Sequence, residues 1–385
     1  MLNRKNLFSV IAGIVILTFI ATAGAAAVEI DLEGIEEIEG LYMYDEITDM
    51  DAHEAMRERV RGDAVPIAED AVPEEPIEVA MIYPALDLSD SWARGYQGFI
   101  HRMEELEIPY DMATMGSGHA QHNVQRSHLE TVLVMEYDYV IVGPTELYVQ
   151  QDAIQEIIQH PDIEVIVWNY STPLKEWGES REEGQPLSWV AFDHLNGAQM
   201  LGEYIVENYD SDKTAMMMYG VPGSTSAMRG YAQKQIMENH GMDVVYEHYA
   251  DWDRELAYNA TLDAAPAYEV DFIHSTSTAM TSGIISALGE VGMQEDVVVN
   301  GWGGGSEELE YMTEGLLEYT VFRNQDDWGV VLAEMIKLDL EGRTDEIPLA
   351  YSGEMQVIDH TMSEAEINEL LEHGFRYSKD EMGLF

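Results

Sequence analysis

Short apolar, β-branched runs alternate with helix-length amphipathic segments along most of this chain, and that alternation limits the fold more than any other feature. Strand, helix and strand in succession make a βαβ unit, and a series of such units makes a parallel sheet with helices packed on its faces. Residues 77–83, 110–115, 137–142, 164–168 and 189–192 read as strands, and helices are predicted over roughly 120–135, 149–159 and 195–209. Between the first two strands, Trp92, Tyr96, Phe99, Ile100, Met103 and Leu106 recur at helical spacing. The pattern then restarts. Strands are predicted at 214–219, 243–249, 270–275, 297–299, 318–322 and 350–358, with helices to 240, over 254–264, along the face of Ile284, Ile285, Leu288 and Val291, around 308–314, over 326–340 and around 363–372. Two α/β halves imply two lobes around a cleft.

Length agrees with two lobes, since 385 residues exceed one ordinary core. At the N-terminus, Arg4 and Lys5, an apolar run over 7–23 and Ala25-Ala26-Ala27 read as a secretion signal. Residues 28–76 form an acidic segment with a short helix around 53–60, broken afterwards by Pro66, Pro73 and Pro76. The chain has no cysteine, which excludes disulfides, thiol catalysis and iron–sulfur clusters. Seventy-three acids against 19 bases give a net charge of −54. So acidic a surface excludes nucleic acid as a partner. It fits a halophilic setting, because the Debye length falls to about 3 Å in 1 M salt and self-repulsion is then screened. The expected location is the periplasm.

Ligands of open α/β sheets bind beyond the carboxyl ends of the strands. Residues at those ends are therefore the candidates. The run Asn-Gly-Trp-Gly-Gly-Gly-Ser at 300–306 follows Val297-Val298-Val299 and leads into Glu307-Glu308-Leu309, a strand-to-helix corner. Trp302 in that turn either plugs the core or forms a flat wall for a polar ligand. Asp87, Ser89 and Trp92 follow the first strand, Asn169 the fourth, and Arg229 the first strand of the second half; Thr278 follows a later strand, and Arg323 ends the last apolar one. Arg229 falls in the first turn of its helix, where a cation opposes the helix dipole, so local stability does not explain it. Each arginine alone could pair with one of the many acids. Together, in a chain so poor in bases, they read as a fork pair for an anionic or hydroxyl-rich ligand. Trp92 and Trp302 would supply flat apolar faces, with Ser89, Asn169 and Thr278 as orienting groups; Trp92 equally fits the buried face of its helix. His119, His122 and His128 lack the carboxylate spacing of a zinc hydrolase and read as a solvated face. No Gly-x-Ser-x-Gly elbow, phosphate loop or dinucleotide fingerprint is present, no cofactor is expected, and no catalytic set emerges.

Several of these residues sit in runs that resemble one family: Tyr83-Pro84, Ser89-Asp90 with Trp92, Asn169 with Thr172-Pro173, Phe192-Asp193-His194, Arg229-Gly230, Ser277-Thr278, residues 300–306, Val321 with Arg323, Asp326-Asp327, Tyr351-Ser352-Gly353 and Phe375-Arg376-Tyr377-Ser378. They resemble the autoinducer-2 receptors of the type I periplasmic-binding-protein family, from about residue 77 to 378. The resemblance implies two Rossmann-like lobes with parallel sheets joined by a three-segment hinge, with crossovers near Phe192-Asp193, Arg323-Asn324 and Ala350. Residues 77–192 plus 324–349 would form the N-terminal lobe, and 193–323 plus 350–385 the C-terminal lobe, after a 1–27 signal peptide and the 28–76 lead-in. It further implies closure on a furanosyl borate diester held at Asp87, Ser89, Trp92, Asn169, Arg229, Thr278, Ala279, Trp302 and Arg323, and a membrane sensor histidine kinase as partner. Two positions depart. The family has glutamine where Asp87 stands and aspartate where Ala279 stands, so Asp87 would return the lost carboxylate from the opposite lobe. The departures leave open a related sugar and, with it, the sugar-binding subunit of an importer.

Overall fold

The computed structural model describes residues 40–84 and 90–382. The leader expected at 1–27 lies outside the described residues, as do Asp87 and Ser89. Among the described residues, twelve strands fall into two six-stranded sheets. In the first half β1 is Ile77–Pro84, β2 Tyr110–Ser117, β3 Tyr139–Val142, β4 Glu164–Trp168 and β5 Ser188–Ala191. The second half contributes β6 Thr214–Tyr219, β7 Asp243–Tyr249, β8 Phe272–Ser275, β9 Val298–Gly303 and β10 Tyr319–Arg323, and near the end come β11 Ala350–Ser352 and β12 Met355–Asp359. The first sheet runs β11-β5-β4-β3-β1-β2, parallel throughout; the second runs β12-β10-β9-β8-β6-β7, parallel except for the β10–β12 pair.

The central strands read as continuous apolar runs for a physical reason: helices cover both faces. Tyr139–Val142 is buried at every position, and so is Phe272–Ser275. Each lobe accordingly has two apolar layers. Met81, Phe99, Trp168 and Met335 lie among those on one face of the first sheet, and Ile82, Leu129, Val167 and Trp189 on the other. The helix Asp327–Leu340 belongs to the first lobe although it follows β10 of the second, because Val330, Val331, Leu332 and Met335 are wholly buried in the first lobe's core.

The expected strand over 350–358 divides in two. Ala350–Ser352 pairs with β5 in the first sheet, and Met355–Asp359 pairs antiparallel with β10 in the second. The third crossing is therefore at Gly353 and Glu354, not at Ala350. No turn separates the two strands, and in the sequence only Gly353 marks the break. The expected peripheral helix is Met50–Arg61, N-capped by the Asp49 carboxylate. It shields the edge strand β11: His53 Nε2 accepts from the Ser352 N–H at 3.1 Å, and Thr48 Oγ1 bonds both the N–H and the carbonyl of Ala350. No helix among the described residues is long and apolar enough to cross a membrane.

Candidate functional site

The carboxyl ends of both sheets converge on one cavity of about 70 Å³, several times the roughly 10–15 Å³ a single water needs. The first lobe contributes Ser91, Trp92, His119, Thr145, Glu146, Asn169 and Trp328, and the second Arg229, Trp252, Thr278, Ala279, Trp302 and Arg323. Trp92, Asn169, Arg229, Thr278, Trp302 and Arg323 are thus brought together from both halves of the sequence. Asp87 and Ser89 lie outside the described residues.

The glycine-rich corner is built around an acid. Trp302 lies on β9 itself, one residue before its end, so the strand runs further than 299 and the turn is Gly303, Gly304 and Gly305. Gly303 has φ 111°, a conformation reserved for glycine, and a Cβ there would strike the Arg323 guanidinium. Behind the turn the fully buried Glu308 carboxylate accepts from Trp302 N–H at 2.8 Å, Gly304 N–H at 2.9 Å, Thr281 Oγ1 at 3.1 Å and Thr320 Oγ1 at 2.7 Å. Four donors hold one side chain, and that side chain fixes the tryptophan wall and the last turn of β9. In sequence Glu308 is one acid among many; only its position in the first turn of helix Ser306–Thr313 sets it apart.

The two arginines are buried, and the polar partners described for them are not carboxylates. Arg229 Nε–H donates to His194 Nδ1 at 3.3 Å and NH1 to the Thr276 carbonyl at 3.0 Å; Arg323 NH2 donates across the cleft to Ser91 Oγ at 2.9 Å. Burial, and then for Arg229 the nearby Arg323 charge, pushes both guanidinium groups down, Arg323 to about 10. Arg229 stands on a π-helical turn, Ala227–Tyr231, inside an otherwise α-helical stretch from Ser224 to His240. That extra residue in the turn departs from the regular helix expected to 240, and such bulges re-aim a side chain. Arg229 lies 5.0 Å from the Trp302 ring centre and 5.3 Å from that of Trp252; Arg323 lies 5.3 Å from Phe192. His194 links the halves: its Nδ1 accepts from Arg229, and its Nε2–H donates to the Asn169 carbonyl at 3.2 Å. Burial and the two arginines push His194 well below its usual range, which keeps it neutral.

Trp92 packs in the core against Tyr83, Trp168 and Trp328, at 4.8 Å from each indole, and it also lines the cavity. Asn169 is in the left-handed region at φ 73°, which asparagine tolerates better than most residues. Trp252, at φ 62°, is a costlier case and closes the second lobe's side of the cavity. Thr278 donates to the Trp302 carbonyl at 3.3 Å. Several polar atoms at this site have no protein partner: Trp302 Nε1, Trp328 Nε1, Arg323 Nε and Glu146 Oε1. Buried donors and acceptors of that kind are what a hydroxyl-bearing ligand would satisfy.

The histidine loop is corrected by the structure. His119 is part of the cavity wall, pushed down to about 4 by burial and by Arg229, and not a solvated face. His122 bonds Thr145 Oγ1 at 2.8 Å and His128 the Gly116 carbonyl at 3.2 Å, and no metal-holding group of three is gathered among the described residues. Glu146, Trp252 and Trp328 escaped the sequence reading, although Glu146 follows Gly143-Pro144 at the end of β3, where the strand-end rule applies. It brings into the cavity a carboxylate that Ala279 cannot supply.

This architecture is shared. The periplasmic binding protein domain matches residues 79–344, and the chain belongs to that family. The ribose import binding protein of Escherichia coli (strain K12) is 24% identical over 243 residues, 62% of this chain and 77% of that one. Among solved structures, the binding protein of the arabinose transporter of Shewanella sp. ANA-3, bound to L-arabinofuranose, superposes with a TM-score of 0.66 at 14% identity over 80% of this chain and 97% of its own. A Bacillus halodurans C-125 solute-binding protein with bound myo-inositol superposes at 0.65 with 18% identity, covering 80% and 100%.

Proposed function

We propose that the chain captures one small polyhydroxy molecule of the sugar class in the periplasm, by closure of its two lobes, and delivers it to an importer. The observation that carries this reading is the set of unpartnered polar atoms around two non-carboxylate-bound arginines and one carboxylate. Arginine forks and indole N–H groups donate to ring and hydroxyl oxygens, Glu146 accepts from a hydroxyl, and the tryptophans cover the apolar faces of the ring. The relatives add weight, being import proteins for sugars or structures holding sugars and a cyclitol. A second reading is favoured by the arginine pair itself, which suits an anion. That ligand is the furanosyl borate diester of the LuxP-type autoinducer-2 receptors, with a membrane sensor histidine kinase as partner in place of a permease.

Calorimetric titration in high salt separates the two. D-ribose, L-arabinose, D-galactose and myo-inositol form one series, and autoinducer-2 with and without borate the other. Saturable heat from a member of the first series, with none from autoinducer-2, supports transport. Heat that requires borate supports signalling and displaces the first reading. Silence throughout both series would remove the sugar-class assignment.

A further inference from the structure

Glu146 is carried by the loop after β3 in the first lobe, yet it meets the second lobe. It is 6% exposed, and a Cβ placed on Gly223, which follows β6, would fall on its carboxylate. The Ser224 N–H, in the first turn of the helical stretch that carries Arg229, acts on the same carboxylate from the second lobe and favours its charged form, as the Tyr148 and Leu147 N–H groups do from its own lobe. Gly223 has an extended backbone that any residue could adopt (φ 161°), so its requirement is space alone. We propose that Glu146 is the closing contact of the cleft, docking on the backbone of Gly223 and Ser224 so that the two lobes form one continuous cavity wall. The inference rests on the closure reading above, and it names what closure must build.

A consequence follows from what closure does to the carboxyl group. Burial raises Glu146 from the ordinary 4.5 to about 7, whereas an open cleft would return it to water. The closed form therefore holds the proton more tightly. Closure gains a contribution that is fully present below about pH 4.5 and is lost as pH rises through about 7, and the cleft takes up a proton as it shuts. The charged and titratable groups around Glu146 come from four elements. Tyr170, after β4, is pushed upward by burial and by Glu146 itself. His119, after β2, faces the same cavity, as does Arg229 on the π-helical turn. His122 stands one step behind, bonded to Thr145 Oγ1.

The native chain lacks cysteine, so cysteines introduced at the exposed Val149 and Leu256, one on each lobe, would carry spin labels without competition. The interlobe distance distribution is then read without ligand, in high salt, at about pH 5.5 and about pH 8. The closed-to-open ratio should rise on acidification, by up to about tenfold per pH unit within the window. Glu146→Gln should hold one ratio at both pH values, and His122→Gln should keep the wild-type shift. Gly223→Ala should stay open at both. A wild-type ratio indifferent to pH, a Glu146→Gln chain that still shifts, or a Gly223→Ala chain that closes normally would each overturn the proposal. Adding D-ribose, L-arabinose, D-galactose or myo-inositol at about pH 8 tests the other reading: if none shortens the distance while the ligand-free pH shift persists, the sugar assignment falls and the closing contact stands.

Discussion

Arg94 and Arg323 each reach from one lobe into the other, and they are partnered in opposite ways. Arg94 bonds Ser378 Oγ at 2.7 Å and Ser306 Oγ at 2.8 Å, lies 3.4 Å from Asp90, and stacks 3.7 Å from the Phe375 ring centre. The same Asp90 carboxylate accepts from Ser306 N–H and Oγ, so the junction is an ion pair with hydrogen bonds on both ends. Arg323 has one hydroxyl, two aromatic faces and an unpartnered Nε. A charge held on all sides fastens the lobes together. A charge with donors left over has capacity for something that enters. The difference assigns the Arg94 junction to stability and the Arg229–Arg323 pair to the ligand, and each assignment can be broken separately.

Arg94→Met should have the largest effect. Arg94 is wholly buried and Asp90 largely so. Removing the arginine takes the cation from Asp90, which keeps its two bonds from Ser306, and the donor from Ser378, and about 3–5 kcal/mol of unfolding free energy should be lost. Denaturant titration in high salt measures it, and a loss below about 1 kcal/mol would mean that the junction is ornamental. Arg229→Met and Arg323→Met should invert the pattern. Each should weaken ligand binding by about 1.5–3 kcal/mol, the range for a hydrogen bond to a charged group, while unfolding free energy holds or rises, because a cation buried without a carboxylate is costly. Calorimetry and denaturation on the same preparations decide it; binding left at the wild-type level in both variants would empty the pair of its role.

A smaller, graded effect tests the histidine that joins the two sides. The folded chain holds His194 far below 6.5, and burial and two arginines disfavour its charged form. An unfolded chain protonates it near 6.5, so its contribution is present above that value and lost as pH falls below it, by about 1.4 kcal/mol per pH unit. His194→Gln should flatten that part of the pH profile, provided denaturant midpoints are compared between about pH 6.5 and about pH 5. If the mutant keeps the wild-type slope, the loss belongs to the other lowered histidines, His53, His274 and the cavity-wall His119, all pushed down to about 4.

The sequence announced the sheets more clearly than the site. Buried parallel strands must be continuously apolar, so β1, β3, β4 and β6 stand out from any single stretch, and the glycine run after β9 marks the turn beneath Trp302. What escaped has three physical causes. Glu146 and Glu308 are carboxylates in a chain full of carboxylates, and only burial distinguishes them. The π-helical turn under Arg229 has no signature in residue type. Trp328 opens a helix that returns to the first lobe straight after β10 of the second, so its place in the cavity depends on a crossing that extended residues conceal. Ala350–Ser352 was assigned to the wrong sheet for the same reason: a strand that changes sheets without a turn looks like one strand.

Asn169 offers the finest cut between backbone and side chain. Its carbonyl holds His194 and its N–H donates to Val190 at 2.8 Å, while its side chain borders the cavity from a left-handed backbone. Asn169→Gly removes the side chain and suits the positive φ, so both backbone bonds and the aim of His194 should survive. Stability should change by less than about 1 kcal/mol, and ligand affinity should fall by about 0.5–1.5 kcal/mol, the worth of one neutral hydrogen bond. Titration of Asn169→Gly beside Arg323→Met then ranks a neutral contact from the first lobe against a charged one from the second. An Asn169→Gly loss as large as the arginine's would mean that the left-handed asparagine, and not the cation pair, sets the ligand's orientation.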